Sequence, residues 1–409
     1  MKPFALTGPD ELADPYPVYA RYRAVDPVHA ANGGFYVFRY DDVHAVLMSA
    51  DVGRSALVAR AGAQPPPRPL IPADYPALRA VVDNWLVFLD PPRHTRLRAL
   101  VTRHFTARRV ADLRPRVAEI AAGLLADVRD APVIDLVADF AAPLPILVIG
   151  ELLGIPPEHR DWLRGCAVAL QEANTSRKGD PAVRYGAADA AARALTDYFL
   201  AEIGRRRHGG PDDLTTALVR AEPALTDTEL VSTCVHLLTA GHETTTNLLG
   251  KATLVLLRHP GVRSRLAADP GMMPAAVEEF IRYDPPVQMI TRWTYGPVVV
   301  GDTGIPAGTR LVLVLGSANR DPRRFPDPDT VDIDRDASRH AAFGMGIHYC
   351  LGARLAQVEA EIGLGALLRG LPGFAAADEP VEYADDLVFH GPAKLPLLTG
   401  RHPATPSRS

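Results

Sequence analysis

The sequence predicts a mainly α-helical protein with a small antiparallel β part. Three observations carry that prediction. Alanine, leucine and arginine recur at helical spacing through most long stretches of the chain. One segment, residues 226–260, implies a helix of roughly 45 to 50 Å, long enough to cross the molecule. Strand-like alternation is confined to short segments near the start, around residues 294–320 and within residues 381–398.

In chain order, residues 35–60 open with a short strand pattern and then turn helical. The run AGAQPPPRPLIPADYP, residues 61–76, predicts an irregular loop, because proline supplies no backbone donor. Helical spacing predicts helix over residues 92–129 and again over 133–170. Two polar gaps, residues 174–186 and 205–213, interrupt the helical stretches that follow. Thr226 and Glu229 form a capping box for the long segment, and Pro260 closes it. Pro274 opens a shorter helix that Asp284-Pro285-Pro286 stops. After Cys350, the residues Leu351, Leu355, Val358 and Ile362 return to helical spacing. No internal repeat or long linker divides the chain, so a single domain is expected over residues 1–409, its core spanning about 14–398.

Composition excludes several classes. With 47% hydrophobic and 22% charged residues in 409, the chain can bury a large core, and a formal net charge of -4 offers no global field to nucleic acid or a membrane surface. No signal-like apolar region opens the sequence and no stretch of about 18 uncharged apolar residues appears, so a cytoplasmic protein without a membrane anchor is expected. Cys166, Cys234 and Cys350 are widely spaced and odd in number, against a disulfide scaffold.

Three segments carry more than fold information. In the middle of the long segment, Gly241 costs about 1 kcal/mol against alanine and Thr244 to Thr246 are β-branched in a row. The threonines can bond back to carbonyls one turn earlier while the glycine lets helices pack closely. Alternatively, the helix gives up local stability for a site. Glu243, a carboxylate beside a hydroxyl in an apolar stretch, favours the site, while its neighbour His242 faces either way on sequence alone. In the second segment, Glu279 and Arg282 stand three apart on one helix face. As an exposed pair they contribute a few tenths of a kcal/mol, and as a buried one they need further partners.

The third segment is FGMGIHYCLG, residues 343–352. Cys350 falls at or just before a helix N-terminus, where free amides and the helix dipole favour thiolate over thiol. Gly344, Gly346 and Gly352 strip side chains from the loop, as happens where backbone approaches a large flat object or makes a tight bulge. An inert buried cysteine and a nucleophile both stay open, although no orienting partner for a His348 base is evident. Zinc finds only His348 nearby. A sole thiolate ligand to a metal already held by a macrocycle, meaning haem iron, fits better.

FGMGIHYCLGARLA resembles the cysteine-ligand loop of the cytochromes P-450, AGHETT resembles that family's oxygen-activation segment, and EFIR resembles its Glu-x-x-Arg pair. The motifs stand in the family's order, and the resemblance runs from about Asp14 to Leu398. It implies a triangular single domain of the soluble bacterial type, holding haem b between the long central helix and the helix after Cys350. Cys350 is then the axial metal ligand, with Phe343, Gly344 and Gly352 in the cofactor loop. His94, Arg98, Arg292 and His348 become propionate partners, and Ala240 and Gly241 leave room for O2. Glu243 and Thr244 match the acid-alcohol pair that relays protons. Glu279 and Arg282 become a structural pair beneath the loop. Family members often complete that pair with a basic residue where FPDPDTVDIDR carries Thr330.

The resemblance places variable substrate walls on the proline-rich loop as far as Leu89, on residues 171–185 and 236–240, and on PPVQMIT and LVFHG. Val87, Leu237, Val287, Ile290 and Phe389 either line an apolar pocket there or are simply core. It further implies electrons from NAD(P)H through a reductase and a ferredoxin, and a monomer; Arg93, Arg96, Arg103, Arg108, Arg109 and Arg354 form either a cationic docking patch for that ferredoxin or an arginine-rich solvated face. The expected activity is insertion of oxygen from O2 into a small hydrophobic molecule by hydroxylation or epoxidation, with a secondary-metabolite intermediate such as a polyketide, macrolide, terpenoid or peptide as substrate. Oxidative coupling, nitration or desaturation by the same haem chemistry is the near alternative. A non-catalytic haem sensor is the alternative of a different class, and the Glu243-Thr244 pair speaks against it, because a binder needs no proton relay.

Overall fold

The computed structural model describes residues 8–62, 69–173, 179–384, 386 and 388–400. Residues 63–68 of the proline-rich loop, 174–178 of the first polar gap and Leu387 of LVFHG, all expected in substrate walls, lie outside the described residues. The principal helices are α1 (Tyr16–Val25), α2 (Tyr40–Met48), α3 (Arg93–His104), α4 (Ala107–Val128), α5 (Pro143–Leu153), α6 (Arg160–Glu172), α7 (Pro181–Arg207), α8 (Asp227–Arg258), α9 (Met273–Tyr283) and α10 (Ala353–Gly370).

Three boundaries differ from the periodic reading, two through local caps and one through a distant strand partner. Residues 92–129 form two helices, because Phe105 leaves helical geometry and Thr106 caps α4 by accepting from Arg109 N at 3.2 Å. Residues 133–170 begin as a strand, since Val133–Asp135 pairs with Pro396–Leu398 from the far end of the chain. The polar gaps are shorter than expected: Asp180 caps α7 at Pro181, and that helix carries Arg205 to Arg207 to its end.

The main sheet joins β1 (Val28–Ala31), β2 (Gly34–Val37), β3 (Val52–Gly53), β4 (Met289–Thr294) and β5 (Arg310–Val314) in the order β1-β2-β5-β4-β3. It is not wholly antiparallel, because β2 and β5 run parallel with Gly34 opposite Arg310. Arg292 sits on β4 opposite Leu311, so a central strand holds it.

The long helix α8 spans 32 residues, about 48 Å, and its capping box forms as the sequence predicts. It packs against α5, α7 and α10 within the largest apolar cluster. Gly363 permits that closeness, since a Cβ there would stand 3.0 Å from both Leu144 and Leu249. Among the described residues no helix is long and apolar enough to cross a membrane.

Candidate functional site

The loop before α10 is built by its glycines. Gly344 and Gly346 take φ of +69° and +66°, and a Cβ on Gly346 would meet the Leu47 carbonyl at 2.7 Å. Both glycines serve the bend, and Gly346 also the seat on α2. Gly352 is different, because nothing lies within 4 Å of the Cβ it lacks. Cys350 is accessible, and its N–H bonds to the Phe343 carbonyl at 2.8 Å, closing the loop. The surrounding protein mass pushes its thiol upward, while the amides of Gly352 and Ala353 and the Arg98 guanidinium pull it down. The helix entrance thus favours thiolate as expected but does not win alone.

Around this loop stands a surplus of cations. The His94 and His348 rings lie 4.2 Å apart, and both nitrogens of His94 and Nε2 of His348 are buried without a hydrogen-bond partner. Arg98 donates to the Tyr349 carbonyl at 2.6 Å. Burial, aided by His94, Arg292, Arg54 and Arg98, pushes His348 down to about 3. Burial, then Arg54, pushes Arg292 down to about 9, against the pull of Asp90. All four residues expected from the sequence meet here, and Arg54 joins them without a sequence signal. It donates to the Val87 carbonyl at 2.7 Å and to the Thr291 carbonyl, and burial pushes it down to about 10. The nearby carboxylate, Asp90, is engaged by the amides of Arg54 and Ser55 and by the Tyr295 hydroxyl. Orphaned imidazole nitrogens beside under-neutralised arginines fit a cofactor carrying two carboxylates.

The opposite wall is α8. Between Val231 and Leu256 it is fully buried except at His236, Leu237, Ala240, Gly241, Glu243 and Thr244, which share one helical face; of these only Ala240 is exposed and the rest are half-buried. The helix runs unbroken through this face. The Thr244 hydroxyl donates to the Ala240 carbonyl at 2.8 Å and Thr246 to His242 at 2.9 Å, so the back-bonding reading holds alongside the site. Gly241 does not serve close packing, because its nearest neighbour would be Ile149 Cδ1 at 4.0 Å. His242 turns away and is buried, 3.4 Å from Gln171 Oε1. His236 stacks on Trp85 at 5.2 Å.

The expected pocket residues are placed unevenly. Val287 and Phe389 form a bridge to one another, Ile290 lies half-buried on β4, Leu237 is half-buried on the α8 face, and Val87 is exposed. Glu279 and Arg282 are fully buried in a bidentate pair at 2.6 and 2.8 Å, not a solvated one. Thr330 contributes its carbonyl to Arg282, as do Asn319 and Pro328, while Arg335 Nε stands 3.5 Å from Glu279 Oε1. The missing base comes from five positions downstream, within the same FPDPDTVDIDR stretch.

Among the described residues no group of three or more His, Cys, Asp or Glu side chains could hold a metal ion. A single accessible sulfur beside a cation cluster suits a metal that arrives already chelated by an acid-bearing macrocycle, the arrangement of a haem-thiolate protein. The cytochrome P450 family model matches residues 271–372. The cyclomarin C epoxidase CymV of Salinispora arenicola is 43% identical over 320 residues, covering 78% of this chain and 81% of that protein. The vitamin D(3) 25-hydroxylase of Pseudonocardia autotrophica is 38% identical over 401 residues, covering 95% and 94%. The solved structure of CalO2 matches with a TM-score of 0.88 at 32% identity, covering 98% of this chain and 100% of that one. The chain belongs to the cytochrome P450 family. Its activity is that of a haem-thiolate monooxygenase, inserting oxygen from O2 into small hydrophobic molecules.

Proposed function

We propose that Cys350 would hold haem iron through its thiolate, that His94, Arg98, Arg292 and His348 would bind the haem carboxylates, and that Glu243 and Thr244 deliver protons from the α8 face. The observation that carries this reading is the cation cluster, whose buried nitrogens lack partners beside an accessible cysteine. When bound, the haem supplies oxygen activation, with electron donation from the thiolate promoting O–O cleavage. The chain's own residues then divide the remaining work. Arg98 and Arg292 orient the cofactor by charge-assisted hydrogen bonds, and the neutral imidazoles add donors without adding repulsion. Thr244, tied to Ala240, holds its oxygen as an acceptor toward the hollow, and Glu243 exchanges protons with solvent beside it. Glu279, Arg282 and Arg335 keep the loop's underside rigid.

The substrate we assign is a small hydrophobic secondary metabolite, met by Leu237, Val287, Ile290 and Phe389. The relatives' names, an epoxidase and a hydroxylase, support both reaction types. We further assign a ferredoxin, reduced from NAD(P)H by a separate reductase, as electron donor to a monomeric, cytoplasmic, single-domain enzyme. Of the six arginines expected to dock it, Arg96, Arg108, Arg109 and Arg354 face Glu229, Asp112, Asp212 and Glu361. Arg93 and Arg103 instead contact the uncharged acceptors Asn84 Oδ1 and the Glu222 carbonyl, and carry the docking charge.

Reversal of both, Arg93→Glu with Arg103→Glu, should slow reduction by ferredoxin about tenfold at low salt and leave ligand-binding spectra unchanged. An unaltered rate would remove this surface from the account. A screen of candidate metabolites for a substrate-induced shift of the haem spectrum identifies the substrate class, and failure of every hydrophobic candidate to shift it would contradict the assignment.

A further inference from the structure

One side chain of α6 reaches the backbone of α8 a turn before the acid-alcohol pair. Gln171, on the last turn of α6, donates from Nε2 to the Thr239 carbonyl at 3.1 Å, and its Oε1 stands 3.4 Å from His242 Nδ1. Arg184 of α7 donates to the Glu172 carbonyl at 2.8 Å and holds that turn of α6 in place. In a regular helix the Thr239 carbonyl is the acceptor for the Glu243 N–H, and its second lone pair is free for another donor. A donor on that second lone pair fixes the direction in which the carbonyl leans while the ladder itself stays unbroken. The Thr239 hydroxyl is tied back to Val235 at 2.8 Å, as the Thr244 hydroxyl is to Ala240, so both ends of the turn are pinned. His242, buried on the same side, offers Gln171 an imidazole whose N–H is assigned to Nδ1 by the facing oxygen.

We propose that Gln171 is a positioning residue for proton delivery: by bridging the Thr239 carbonyl and His242 it sets the turn that presents Glu243 and Thr244, and with it the balance between oxygen insertion and peroxide release. The inference rests on the haem-thiolate reading of that pair. Gln171→Met fills the same volume and removes both contacts, whereas Gln171→Glu keeps an oxygen toward His242 and sets an acceptor against the Thr239 carbonyl. The test compares both variants with the wild-type holoenzyme, reading amide hydrogen exchange across residues 239–246 and peroxide released per NADPH with a surrogate ferredoxin and reductase. Both variants should exchange about fivefold faster there, with α4 unchanged, and release several-fold more peroxide. Unchanged exchange and peroxide in Gln171→Met, or equal acceleration in α4, would overturn the clamp. Absence of a thiolate-type carbon monoxide band from the wild type would instead overturn the haem-thiolate reading itself.

Discussion

Thr244 combines a satisfied hydroxyl with an accessible position on an otherwise buried helix. Its replacement by alanine removes one back-bond worth little to stability and the oxygen that orders water beside Glu243. Thr244→Ala is therefore expected to keep its fold and raise peroxide released per NADPH several-fold; unchanged coupling would contradict the relay. Gly346 offers a second residue-scale prediction. With its positive φ and the Leu47 carbonyl in the way, Gly346→Ala should cost about 1–3 kcal/mol in denaturant unfolding and speed haem loss to apomyoglobin. Cys350, His348 and the acid-alcohol pair were legible because their neighbours along the chain form motifs. Arg54 was not: it reaches His348 and Arg292 only after β3 and β4 pair, and its neighbours GRS carry no periodic or motif signal.

Among the elements, α9 depends on a charge pair with no solvent to share. Glu279→Ala leaves the Arg282 guanidinium buried with carbonyl acceptors alone, and should cost about 3–5 kcal/mol, read as loss of soluble holoprotein and a lowered unfolding midpoint. Arg335→Ala removes a longer, partly accessible contact, so about 1 kcal/mol is expected. An equal cost for the two would show that Arg335 completes the site as an equal partner. The long helix was legible from its capping box and closing proline, since both signals are local. The strand at Val133–Asp135 and the parallel β2–β5 pair were not, because each is settled by partners distant in sequence, and the break at Phe105 turns on a local cap, Thr106, that leaves the helical spacing on either side undisturbed.

For the molecule as a whole, burial holds several histidines neutral. His236, His242 and His390 are each pushed down to about 4, chiefly by burial. Unfolding frees them to bind protons near their ordinary pKa of about 6.5. The unfolded chain then holds more protons, so these three groups make stability fall as pH drops from about 6.5 towards 4 and add no slope just above that window. His236→Phe, which keeps a ring against Trp85, should reduce proton uptake on unfolding at pH 5 by about one; an unchanged uptake would show that His236 is already charged in the fold. The same compactness bears on the site, because the cation cluster and Cys350 arrive from α3, β4 and the loop before α10 and meet only in the finished fold. Everything proposed for this site turns on thiolate ligation by Cys350. The direct measurement is the carbon monoxide difference spectrum of the freshly folded, reduced holoprotein. Thiolate ligation predicts a band at about 450 nm that Cys350→Ala abolishes, whereas a band at about 420 nm in the fresh wild type would contradict it.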